Sequence, residues 1–349
     1  MLRSIKFGNR QIGEGHPCYI IAEMSANHAG DLDRAIQIIH KAKESGADCI
    51  KIQTYTPDTM TINCDKDYFY IGGGTWEGEN LYNLYQRAST PWDWHKKLKE
   101  EAERIGIDFL STPFDKTAVD FLEDLGVEFY KIASFEITDI PLIRYIATKK
   151  KPIIMSTGMA TLGEIEGAVK TAKSQGNTNF CILKCSSAYP ALVDDLNLIT
   201  IRNLAETFGV PVGFSDHSLG SVGTITAIAM GAKVIEKHFC LSRDVKSPDA
   251  CFSMEPKEFK CMVQDIRLSE KAIGTVNYGI SQREETSRIF RRSIFVTADI
   301  KKNEYFTEKN IRVIRPAHGI APKYYSNILG KKATRDIGYG TPLEWAMIE

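Results

Sequence analysis

The sequence predicts an α/β chain, a (β/α)8 TIM barrel followed by a small C-terminal domain. Three observations carry that reading. Short continuous apolar strands recur as far as residue 239 and alternate with helical patterns, the signature of a parallel sheet covered on its outer face. Eight such units occupy roughly 250 residues, the size of a closed barrel. No GxGxxG follows the first strand, so the rival open, doubly wound sheet lacks support.

The bulk numbers set bounds. A chain of 349 residues has room for one large domain and one small one. Hydrophobic content of 43% and charged content of 25% are ordinary for a soluble globular protein. Lys+Arg and Asp+Glu are both 44, which argues against a nucleic-acid or membrane surface. The opening MLRSIKFGNRQIGEG has no apolar core, so no secretory signal is expected. No apolar run approaches the ~20 residues that span a bilayer. The eight cysteines form no CxxC pair, and most lie in or beside apolar runs, as Cys49, Cys181 and Cys240 do. Reduced, buried thiols in a cytoplasmic protein are the expectation.

In chain order, strands are expected at 18–22, 48–52, 107–110, 128–132, 152–155, 180–184, 210–214 and 233–235. Helical patterns fall at 33–45, 94–105 and 221–231, and a last one at 256–273. The interval from Thr54 to Pro91, with Pro57, Gly72-Gly73-Gly74 and Trp76, is too long for a plain connection. It reads as a lid or binding loop, or else as a surface insertion. Residues 275–291 are polar without a clear period and read as a linker. From Arg292 to the C-terminus, short strands, turns and glycines make a module marginal on its own, expected to dock on its own barrel or a partner's.

A barrel places its active site at the C-terminal ends of its strands. There the sequence puts Glu23, Ser25, Asn27 and His28; Lys51 and Gln53; Ser111 and Thr112; Lys131, Ser134 and Glu136; and Ser156, Thr157 and Gly158. The last three strands add Lys184, Ser186, Ser187 and Tyr189, then Ser215, Asp216 and His217, then Glu236, Lys237 and His238. Neighbouring strands thus each deliver a histidine just past their ends. Neutral imidazoles suit a divalent metal, and the competing reading is two structural histidines. Four lysines (51, 131, 184 and 237) are expected to converge on the mouth, and buried lysines are costly unless they meet anions. A small, multiply anionic ligand beside a metal satisfies them; salt bridges to Glu23, Glu136 or Glu236 are the alternative. His28 reads as a cap of the following helix, and Cys185 as a buried thiol.

The stretches IIAEMSANHAGD, GADCIKIQT, STPFD, YKIASFE, STGM, KCSSAYP, GFSDHS, VIEKHF and IRPAHG, in this order, resemble the sialic acid synthase family over nearly the whole chain. The C-terminal module resembles the antifreeze-like SAF domain of those enzymes. The resemblance implies condensation of phosphoenolpyruvate with an N-acetylated sugar to a 2-keto acid and phosphate. AEMSANH and the lid sequence point to 2,4-diacetamido-2,4,6-trideoxy-L-altrose, with N-acetylmannosamine or the D-mannose diacetamido compound as alternatives. It also implies residue roles. His217 and His238 would hold the divalent metal, Mn2+ first, with Mg2+ or Co2+ as substitutes. Lys51, Thr112, Lys131, Ser134 and Ser215 would hold phosphoenolpyruvate. Ser187 falls where N-acetylneuraminate enzymes have Asn in a phosphoenolpyruvate-contacting position. Gln53, Glu136, Tyr189 and Asp249 would face the sugar, as would Glu23, the candidate for proton transfer. Arg315 would reach into the other subunit's barrel, making a domain-swapped homodimer. Two rivals stay open: a metal-dependent aldolase on the same barrel, and a non-catalytic carbohydrate-binding protein.

Overall fold

The computed structural model describes residues 4–7 and 10–349. Residues 1–3, 8 and 9, part of the opening read for a secretory signal, lie outside them. The chain divides into two compact units, one up to Gly274 and one from Thr275 to Glu349.

The first unit is the expected barrel. Its strands are β1 Tyr19–Glu23, β2 Cys49–Thr54, β3 Asp108–Pro113, β4 Tyr130–Ile132, β5 Ile153–Ser156, β6 Phe180–Cys185, β7 Val212–Asp216 and β8 Val234–His238. They form one parallel eight-stranded sheet in the order β3-β2-β1-β8-β7-β6-β5-β4, in which β1 pairs with β8. β3 and β4 pack side by side without a ladder, the one seam in the closure. Several strands run further toward their C-terminal ends than the apolar runs do. β8 extends through Glu236 and Lys237 to His238 because backbone pairing with β1, not side-chain polarity, decides where it stops.

Helices α1 Leu32–Glu44, α2 Leu81–Ala88, α3 His95–Ile105, α4 Lys116–Asp124, α5 Ile140–Thr148, α6 Leu162–Ser174, α7 Thr200–Phe208, α8 Val222–Ala229 and α9 Pro256–Ile273 accompany the strands. Side-chain caps start many of them: Asp31, Asp115, Asp139 and Thr161 each accept a backbone N–H of the first turn. α2 lies inside the long 54–91 interval, where Asn80 caps it by accepting from Tyr82 N at 3.0 Å. That interval is therefore partly built structure, too short in its period to show in the sequence.

Alternation along each strand sorts the side chains. Outward residues such as Ile20, Ile50, Tyr130, Ile182 and Phe214 join the core under the helices. Inward residues such as Ile21, Cys49, Leu110, Phe129, Leu183 and Val234 fill the barrel. An antiparallel pair, Ile5–Phe7 with Arg10–Ile12, inserts Ile5, Phe7 and Ile12 into that same inner cluster. Only the opposite, C-terminal mouth is left for polar groups.

The second unit has its own core of Ile294, Val296, Ile300, Phe306, Ile311 and Leu343. Its antiparallel strands are β9 Ser293–Val296 and β10 Ile311–Ile314. Gly319 is required by close approach, since a Cβ there would lie 2.3 Å from Ile294 O. Within 275–291, Ser281 and Glu284 form a capping box that starts a four-residue helix, Gln282–Glu285.

Candidate active site

Above the apolar filling, the inward face turns polar within one or two residues on nearly every strand. Glu23, Lys51, Gln53, Thr112, Lys131, Ser215 and Glu236 converge there, and all but Gln53 are buried. Glu236 is the hub. Lys131 Nζ donates to Glu236 Oε1 at 3.1 Å and lies 3.0 Å from Oε2; Lys51 Nζ lies 3.4 Å from Oε1. Lys51 also meets Glu23 Oε2 at 2.7 Å and donates to Thr112 Oγ1 at 3.2 Å. Gln53 Nε2 donates to Glu23 Oε1 at 3.1 Å and to Ser25 Oγ at 3.0 Å.

The charges are unequal in what holds them. Burial opposes ionisation of Glu236, but Lys131 and Lys51 outweigh it and bring its pKa down to about 2. Burial raises Glu23, and Lys51 does not fully offset it. Burial also works against Lys51, yet Glu23 and Glu236 together raise its pKa. Lys131 has Glu236 alone at close range, and there burial wins and the pKa falls. Glu236 is therefore a fixed anion and Glu23 the carboxyl readier to hold a proton.

Lys184 and Lys237 do not join this group, contrary to the expectation of four convergent lysines. Alternation turns both outward. Lys184 Nζ donates to Cys185 O at 2.9 Å, and Lys237 Nζ meets Asp216 Oδ2 at 2.8 Å. His28 is no metal ligand in this arrangement. Its Nδ1 accepts from Gly30 N at 3.1 Å, and its Nε2 meets Thr90 Oγ1 at 3.3 Å.

His217 and His238 do come together, with ring centroids 5.4 Å apart. His217 Nδ1 points at Ser186 O, 3.0 Å away, which leaves Nε2 facing elsewhere. His238 Nδ1 is buried without a hydrogen bond, and Asp249 Oδ2 is 3.9 Å from it. One free nitrogen on each ring fits a divalent metal. Among the described residues no three His, Cys, Asp or Glu are grouped to hold an ion, so the remaining donors would be water or substrate oxygens. Cys185 lies behind His217, Sγ 3.7 Å from Nδ1, and this imidazole brings the thiol's pKa down to about 7 against the effect of burial.

Aromatic rings close over the pair. Tyr189 lies tilted against His217, ring centroids 4.3 Å apart, and Phe252 stands edge-on to His238 at 5.0 Å. Trp76, from the long 54–91 interval, meets Tyr189 at 5.5 Å and Phe252 at 6.1 Å. Its Nε1 donates to Pro248 O at 2.9 Å, and Thr75 Oγ1 donates to Tyr189 O. The interval is thus a lid docked on the β6 and β8 loops. Trp76 and Phe252 are not among the site residues expected from the sequence; the partners of Trp76 lie more than a hundred positions away, and nothing local relates Phe252 to His238.

The remaining candidates ring the mouth. Ser134 Oγ accepts from Gly158 N at 3.1 Å. A Cβ on Gly158 would lie 2.0 Å from Ser187 Oγ and 2.8 Å from Ser134 Oγ, so this glycine lets both hydroxyls approach. Asp249 accepts from Ala26 N at 3.3 Å. Glu136 has a buried Oε2 with no hydrogen bond, and burial, with Asp139, brings its pKa up to about 7. Arg315 is exposed at the end of β10 in the second unit.

Among the described residues, six buried side-chain atoms have no hydrogen bond, but two of them are ion-paired, Glu23 Oε2 with Lys51 and Glu236 Oε2 with Lys131; the other four are Glu136 Oε2, Ser156 Oγ, His238 Nδ1 and Thr297 Oγ1. All but Thr297 stand at the barrel mouth. Unmet hydrogen-bonding capacity concentrated in one place is what a ligand site looks like from the protein side.

A barrel mouth holding two lysines, two histidines and a carboxyl able to take a proton, joined to a small separate unit, defines a class, and the chain belongs to it. It is a member of the NeuB family, whose model matches residues 38–278, and a SAF domain matches residues 291–349. It is similar to the pseudaminic acid synthase of Campylobacter jejuni, 46% identical over 93% of this chain and 95% of that protein. The pseudaminic acid synthase of Helicobacter pylori is likewise 46% identical, over 95% of this chain and 98% of that one. A crystal structure of N-acetylneuraminic acid synthetase from Leptospira borgpetersenii, in complex with citrate, matches with a TM-score of 0.74 and 33% identity, covering 82% of this chain and 95% of that one.

Glu136 gives a pH test. Its folded pKa, about 7, lies above its ordinary 4.5. The stability this contributes is full below pH 4.5 and is lost as pH rises through 7. Glu136→Gln should therefore stabilise the ligand-free protein at pH 8, by on the order of 3 kcal/mol, and leave it unchanged at pH 4. Thermal melts of both proteins at the two pH values measure this.

Proposed function

We propose that the chain condenses phosphoenolpyruvate with 2,4-diacetamido-2,4,6-trideoxy-L-altrose, giving pseudaminic acid and phosphate. The observation that carries this reading is the convergence of buried Lys51 and Lys131 with His217 and His238 at the mouth of a barrel in a chain 46% identical to pseudaminic acid synthases. The catalytic barrel comprises residues 1–274, the linker 275–291 and the SAF domain 292–349. The enzyme works in the cytoplasm.

Lys51, Lys131, Thr112, Ser134 and Ser215 hold the phosphate and carboxylate of phosphoenolpyruvate, with Ser187 beside Ser134. With a proton on Glu23, the lysines and Glu236 leave one positive charge in excess, which suits an anion. Gln53, Glu136, Tyr189 and Asp249 face the sugar. His217 and His238 hold a divalent metal, Mn2+ first, which when bound supplies Lewis acidity toward the sugar's aldehyde oxygen.

Glu23 supplies a proton to the aldehyde oxygen as C3 of phosphoenolpyruvate bonds to the aldehyde carbon. The resulting carboxylate, held at Oε1 by Gln53, faces the positive charge developing at C2. Water adds to C2 and gives its proton back to Glu23. The C–O bond to phosphate then breaks, and the C2 hydroxyl proton passes to the departing phosphate as the ketone forms. Lys51 and Lys131 orient the anion and form no imine, since an enol phosphate needs none.

The assembly is a domain-swapped homodimer in which the partner subunit's Arg315 completes the sugar site. Supporting this, large apolar side chains stand exposed around the β4 to β7 loops of the mouth, among them Phe135 at 60%, Met159 at 62% and Leu192 at 68%.

Two measurements test these readings. Phosphate release from phosphoenolpyruvate should occur in Mn2+ buffer with the L-altrose diacetamido sugar and stop on addition of EDTA. Turnover with N-acetylmannosamine or the D-mannose diacetamido sugar instead would correct the substrate, and none with any sugar would reject the reaction. For the dimer, His217→Ala and Arg315→Ala proteins, each inactive, should regain about a quarter of wild-type activity after unfolding and refolding as a mixture, because half the dimers then carry one intact site. No recovery would refute the exchange.

A further inference from the structure

Each metal-candidate histidine follows a residue that never faces the mouth. Asp216 precedes His217 and Lys237 precedes His238, and alternation turns both toward α8. There they form a closed polar cluster. Lys237 Nζ lies 2.8 Å from Asp216 Oδ2 and donates to Ser218 O at 2.7 Å. Asp216 Oδ2 also accepts from Thr224 Oγ1 at 2.7 Å, while Oδ1 accepts from Ser218 N at 2.8 Å and Ser218 Oγ at 2.6 Å. The side chains of Lys237 and Asp216 are 1% and 0% exposed.

The position of this cluster matters more than its energy. Ladder pairing between β7 and β8 ends at Lys237↔Asp216, so between these two strands His217 and His238 lie one residue beyond the last paired position. His217 is bracketed, with Asp216 before it and Ser218 after it both tied to the Lys237 ammonium. His238 makes no hydrogen bond through Nδ1; its backbone is held on one side by pairing with Glu23 of β1 and by Met254 N, and on the β7 side by the residue before it, Lys237. Buried ion pairs are poor sources of stability, because desolvation offsets the attraction, whereas they hold direction well.

We infer that the Lys237–Asp216 pair, completed by Thr224 and Ser218, is a positioning clamp that sets the His217–His238 separation and with it the affinity for the divalent cation. This rests on the proposed metal role of the two histidines. Neither clamp residue touches substrate; both act through the histidines beside them.

The test is calorimetric titration of Mn2+ into metal-stripped, full-length protein, with phosphoenolpyruvate binding measured without metal as the control. Lys237→Met should weaken Mn2+ binding by about 10- to 100-fold, as loss of groups that orient metal ligands does, and leave phosphoenolpyruvate affinity within about twofold. Thr224→Val, which keeps the ion pair and removes one bond to Asp216, should weaken Mn2+ by about threefold or more on the same grounds, and it decides the matter if Lys237→Met does not fold. Unchanged Mn2+ affinity in the folded variants overturns the clamp, as does a parallel loss of phosphoenolpyruvate affinity, which would mean general loosening. Wild-type protein that binds no Mn2+ rejects the metal assignment itself, before any variant is compared.

Discussion

Glu236 stands between two lysines inside a barrel, and much of the mouth is arranged to make that tolerable. A buried carboxylate survives only if cations reach it, and Lys131 and Lys51 do so from β4 and β2. Their approach requires a closed sheet, because β2, β4 and β8 are not ladder neighbours and meet only across the barrel's interior. It also requires that the opposite end be filled, which the inserted Ile5, Phe7 and Ile12 accomplish.

Around that charge cluster the strand period divides labour. One face of each strand end presents chemistry to the mouth, and the other supports it. On β7 and β8 the supporting face carries Asp216 and Lys237 immediately behind the two histidines. The lid completes the enclosure from above, with Trp76 bridging the loops that carry Tyr189 and Phe252. Closing a site in this way removes water and strengthens each electrostatic contact inside it.

Much of this was legible in the sequence. Eight apolar strands alternating with helices are enough to identify the barrel, and polar residues at strand ends identify the mouth. Glu23, Lys51, Lys131, His217 and His238 were found in that way. The strand ends misled where polarity was taken as the boundary: β8 continues through Lys237, and once it does, alternation separates Lys237 from Glu236. The same parity removes Lys184, which follows inward-facing Leu183. The lid's contacts were not legible, since no local pattern relates Trp76 to Pro248 or Phe252. Nor was the burial of His28, whose ring is satisfied by Thr90, a residue 62 positions along the chain.

The account stands on Lys51 and Lys131 being the cations that receive the anionic substrate, with Lys184 outside the site. The most direct measurement is calorimetric binding of phosphoenolpyruvate to wild type and to folded Lys51→Met, Lys131→Met and Lys184→Met. Each inward variant should lose at least about tenfold in affinity, as removal of a charged hydrogen bond does, and Lys184→Met should bind as wild type does. Inward variants that bind normally, or a Lys184→Met loss of the same size, would contradict it.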